Sequence, residues 1–165
     1  MNAWVGIIGT VIGAILGGGL TWLNMRFQLR HQEERERRKF LLGKLEELHE
    51  VLSQYRHCYT TATSQHFKAT LANESMDMKD SSTVPIEKLR MLIGFYTPEL
   101  KDSLKSLENA AYEYGNAFVQ RLESMKANEL ERKKALSRVF ETQKKIDDIC
   151  KALQEEVITI SRKYL

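Results

Sequence analysis

The sequence predicts an all-α protein, with one amino-terminal transmembrane helix continuing into a cytoplasmic antiparallel helical bundle or coiled coil. Three observations predict it. All 25 Lys and Arg and all 22 Asp and Glu lie at or beyond Arg26, so an uncharged stretch precedes a heavily charged body. The body is rich in Glu, Lys, Arg, Leu and Ala. Its glycines are Gly43, Gly94 and Gly115, and its prolines are Pro85 and Pro98. That composition favours long helices and leaves little turn chemistry for strands. Apolar residues in the body recur alternately four and three apart, the period of packed helices.

Ala3 to Met25 reads AWVGIIGTVIGAILGGGLTWLNM and carries no charge. As a helix it extends about 34 Å, enough for a hydrocarbon core of about 30 Å. Trp4 and Trp22 bracket the span, about 27 Å apart along the helix, where indoles favour the two headgroup interfaces. A cleaved signal peptide fits poorly, because the apolar run is long and lacks both a basic leader and a clean small-residue cleavage site. Arg26, Arg30, Arg35, Arg37, Arg38 and Lys39 follow the span. Basic residues beside a span stay cytoplasmic, so the amino terminus is expected outside and the body inside a bacterial inner membrane. Arg26 and Arg30 join the tryptophans as interface anchors near anionic headgroups.

Gly9, Gly13 and Gly17 recur every four residues, and Thr10, Ala14 and Gly18 repeat the small spacing on the adjacent stripe. Residues four apart share a helix face, and a face of small residues lets two backbones approach closely in lipid. Self-association through this face is therefore expected. The pattern resembles the glycine zippers of several oligomeric membrane proteins, some channels among them. A pore is a lesser expectation, because the span has no ionisable residue and only glycine backbone, Thr10 or Thr21 to line a path.

Residues 26–40 read as a charged helical stalk, with Glu33 and Glu34 each four residues before an arginine, at Arg37 and Arg38. Residues 41–72 form the next helix, with a seam of Leu41, Leu45, Leu48, Leu52, Tyr55 and Tyr59. Residues 73–84 lack periodicity and read as a flexible loop. Pro85 opens a short apolar helix over 86–96. Thr97-Pro98-Glu99 supplies a hydroxyl cap, a proline at the first position and an acid in the first turn of a helix over 98–126. Its seam is Leu100, Leu104, Leu107, Ala111, Tyr114, Phe118 and Met125, interrupted by Arg121. Asn128 with Glu131 forms a capping box for a final helix over 129–164. That helix presents Leu136, Phe140, Ile146, Cys150, Leu153, Val157, Ile160 and Tyr164.

No catalytic motif stands out. His31, His49, His57 and His66 do not form the four-residue helical pair of a metal site, and no phosphate loop, GxSxG or HExxH is present. No cofactor or metal is expected, nor nucleic acid at a net charge of +3. Cys58 and Cys150 are expected reduced in the cytoplasm. The expected partners are the lipid bilayer, further copies of the chain and a cytoplasmic protein, met by a non-enzymatic scaffold or sensing bundle. In plan, residues 1–60 resemble small bacterial membrane proteins with a glycine-rich anchor and a coiled coil, including a cell-division-associated type. No functional residue is shared with them. Two further expectations are a membrane-permeabilising effector of toxin or phage-defence type, and a phage spanin-like lysis protein. The latter needs the body outside the cytoplasm, against the charge pattern.

Overall fold

The computed structural model describes residues 2–72 and 84–165, with side chains from Gly17 onward apart from His66, residues 69–72 and Lys126. The expected loop over 73–84 lies outside the described residues except for Val84. Four helices follow in order: α1 (Asn2–Ala72), α2 (Ile86–Tyr96), α3 (Lys101–Glu123) and α4 (Glu129–Ser161). No strand occurs among the described residues. The chain divides into two compact units, Met1–Leu41 and Leu42–Leu165. Both tryptophans fall in the first, and all 6 tyrosines in the second.

In the first unit every described residue from Gly17 to Phe40 is exposed. The expected ion pairs of Glu33 with Arg37 and Glu34 with Arg38 do not form among the described residues. Gln32 donates instead to Glu36, at 3.2 Å. Fully solvated charges gain little from pairing and lose side-chain freedom by it, which explains the difference.

The second unit is a bundle of three long segments with α2 attached. Gln154 of α4 reaches His49 and Ser53 of α1, Asp147 pairs with Arg56, and Gln143 donates to Thr60. The partner numbers fall along α4 as they rise along α1, so the two helices run antiparallel. Glu113 with Lys145 and Gln120 with Arg138 show the same for α3 and α4. Segment 42–72 of α1 therefore runs parallel to α3. Lys88 and Arg90 tie α2 to Glu47 of α1 and Glu108 of α3.

One apolar core joins the four helices. It takes Leu45, Leu48, Val51, Leu52 and Tyr55 from α1, and Leu89, Leu92 and Ile93 from α2. From α3 and α4 it takes Leu104, Leu107, Ile146, Leu153 and Val157, among others. Each such aliphatic side chain stabilises the fold by roughly 1.5–3 kcal/mol through area removed from water.

The α3 seam departs from the expected one beyond Leu107. Ala110 and Ala117 are buried, Ala111 and Phe118 are half-buried, and Met125 is exposed. The two alanines bring α3 close to its neighbours, and the larger Phe118 is left at the rim. Arg121 occupies the next core position while Leu122 faces outward. Phe140 is also partly exposed and meets Phe67 edge-on at 6.0 Å.

The helix ends are also corrected in part. Pro98–Leu100 and Ser124–Lys126 are short 3-10 turns flanking α3, and α4 ends at Ser161. Asn128 caps α4 as expected, its Oδ1 accepting the Glu131 N–H at 2.9 Å. Thr97 does not cap by its hydroxyl. Its φ/ψ of −142°/59° lies outside cap geometry. Its carbonyl accepts the Leu100 N–H at 2.9 Å, while the hydroxyl is buried without a partner among the described residues.

Candidate functional site

The expected membrane face begins in the amino-terminal backbone of α1. Trp4, Gly9, Thr10, Gly13 and Ala14 lie in helical backbone, but their side-chain surroundings fall outside the described residues. Gly17 and Gly18 are described, and a Cβ built at either meets nothing within 4 Å. The Thr21 hydroxyl donates to the Gly17 carbonyl at 2.7 Å, satisfying itself within its own helix. Arg26 lies over the Trp22 ring at 5.0 Å, a cation–π contact one turn apart. Arg30 is exposed. Leu20, Trp22, Leu23 and Met25 are 68%, 57%, 48% and 60% exposed, which leaves a large apolar surface uncovered in the single chain. Among the described residues no helix is long and apolar enough to cross a membrane. Most apolar residues of the expected span precede Gly17, where side chains are not described.

The expected coiled-coil seam is occupied within the chain. Leu45, Leu48, Leu52 and Tyr55 are fully buried in the core, Tyr59 packs on its edge, and Leu41 is half-buried at the unit boundary. Val51, outside the heptad seam, is buried too. Helices on two sides of α1 explain this, because contact with both α3 and α4 widens the buried face beyond a two-helix stripe.

The core aromatics form a polar cluster. Tyr55 and Tyr59 hydroxyls stand 3.4 Å apart, and Thr63 Oγ1 meets the Tyr114 hydroxyl at 2.9 Å while donating to the Tyr59 carbonyl. Tyr59 and Tyr114 rings meet edge to face at 5.0 Å. Burial raises all three phenol pKa values, so these hydroxyls remain protonated donors. The packing of the cluster makes it part of the core. Cys150 is also buried, its thiol pushed up to about 12 by burial and then by the nearby Asp147. A thiol held that high is a poor nucleophile. Neither cysteine is joined in a disulfide.

Surface electrostatics centre on Glu47, which Lys44 and Lys88 both approach to 2.8 Å. Their hydrogen bonds hold its carboxyl down at about 2. No group of three or more His, Cys, Asp or Glu able to hold a metal occurs among the described residues.

The clefts on the bundle include two beside polar or charged side chains of α1, α3 and α4. One of about 440 Å³ lies between α1 and the end of α4, lined by Leu42, Leu45, Glu46, His49, Val157 and Ile158 among others. The second, of about 270 Å³, is lined by Arg121, Glu129, Arg132, Lys133 and Leu136. Arg121 was legible only as an interruption of an apolar seam. The residue is 4% exposed. Desolvation, and then the nearby Arg132 charge, lower its pKa. No protein family, curated protein or solved structure matches the chain.

Proposed function

We propose that the chain is a non-enzymatic, single-pass protein of a bacterial inner membrane. It self-associates through the small-residue face of its span and presents the bundle to a cytoplasmic protein as an interaction or sensing module. One observation carries this reading. A single helix, α1, contains both the uncharged stretch Ala3–Met25 and the core residues Leu45 to Tyr55, with a basic cluster between them. Uncovered Leu20, Trp22, Leu23 and Met25 would be unfavourable in water and suit lipid or a second helix. The basic cluster supports a cytoplasmic body.

Fusions of alkaline phosphatase and of a cytoplasmic reporter after Leu165 test the orientation. Activity of the cytoplasmic reporter alone is expected. Phosphatase activity would overturn the orientation and favour the lysis-protein reading. The effector reading has less support. Thr21, one of two hydroxyls that would line a path, already donates to Gly17.

A further inference from the structure

We propose that the cleft beside Arg121 is an oxyanion site that takes a phosphoryl group. Arg121 sits at a core position of α3, yet its Nε has no hydrogen-bond partner among the described residues. Its one described side-chain contact is Nη1 to the Ser124 hydroxyl, long at 3.4 Å. No carboxylate lies within ion-pair distance of it among the described residues. A guanidinium carries five N–H donors and never deprotonates, so this burial leaves donors and charge uncompensated.

The cleft walls add more positive charge. Arg132 and Lys133 line it, and the one acid there, Glu129, is held by Lys133 at 2.6 Å. The first turn of α4 lines the same cleft through Glu129 and Arg132, adding the positive end of the helix dipole. The Glu131 N–H is taken by the Asn128 cap. The Arg132 N–H is taken by the Asn128 carbonyl at 3.1 Å, which leaves those of Glu129 and Leu130 without a backbone acceptor among the described residues. The planar fork of arginine matches phosphate oxygens in pairs, and a helix amino terminus favours the same anion. A volume of about 270 Å³ exceeds the roughly 30 Å³ share of one water, leaving room for a phosphoryl group. The group could belong to a free solute or to a lipid headgroup, because the recognition chemistry is the same.

The test titrates the detergent-solubilised full chain with inorganic phosphate, and separately with a water-soluble short-chain phosphatidic acid. Ionic strength is held with chloride and the melting temperature is followed. A saturable rise is expected with at least one of the two. Tighter action of phosphatidic acid would assign a headgroup, and equal or tighter action of phosphate a free solute. Arg121→Met keeps most of the stem volume and should abolish the rise while leaving the starting melting temperature equal or higher. Arg132→Gln, at an exposed position, should weaken the apparent affinity by about ten- to a hundredfold, as expected for a lost charge-assisted bond. It carries the test if Arg121→Met fails to fold. A non-saturating response to both anions, or a response unchanged in the variants, would overturn the proposal.

Discussion

Thr97 illustrates how a buried hydroxyl can cost stability. Its Oγ1 is sealed in the junction before α3 and meets no acceptor or donor among the described residues. Thr97→Val keeps the shape and removes the orphan group. The variant should be more stable by about 1–2 kcal/mol, seen as a rise of a few degrees in melting temperature. No change or a fall would show that the hydroxyl is satisfied in solution. Glu47 gives the opposite case. Hydrogen bonds from Lys44 and then Lys88 depress its pKa from 4.5 to about 2. A depressed acid contributes its stability above the unfolded pKa, and that contribution fades as pH falls from 4.5 towards 2. Glu47→Gln should therefore melt below the parent at neutral pH, with the gap closing by about pH 2. Solvent screening keeps the gap small. A gap that persists at low pH would assign the effect to packing.

At the scale of elements, the seams of α1 and α4 and the start of α4 were legible because they follow from local chemistry. Asn128 three residues before Glu131 marked the start of α4, and Pro98 marked the chain restart. The four-three spacing located the core of α1 and α4. What the spacing did not contain is the number of helices around each seam. Val51, Ala110 and Ala117 are buried by neighbours remote in sequence, and Arg121 continues the buried stripe of α3 after Ala117. The glycine face of α1 lies largely outside the described side chains, so it remains a reading of residue spacing. Gly13→Ile in the isolated span should weaken association by about tenfold, equivalent to about 1.4 kcal/mol, because the branched side chain blocks close backbone approach. Dimerisation in detergent, measured by energy transfer between labelled peptides, checks this. Equal association of the variant would remove this face as the interface.

At the scale of the whole molecule, the charge boundary at Arg26 was the strongest signal in the sequence, yet the compact units divide later, at Leu41/Leu42. The exposed stretch from Arg26 to Phe40 accounts for the difference, since it is helical but buries nothing. The Arg121 cleft, the feature with most chemical consequence, depends on α3 and α4 meeting at one end, which no local pattern encodes. The partition of aromatic residues has a spectroscopic consequence. Both indoles belong to the first unit and every phenol to the second. Light absorbed only by indole therefore reports the polarity around the proposed lipid-facing helix. Near-ultraviolet dichroism of the phenols, dominated by the packed Tyr55, Tyr59 and Tyr114, reports the order of the bundle. The unlabelled chain thus carries a built-in indole probe, and melting of the first unit can be followed at the long-wavelength edge without interference from the phenols of the second.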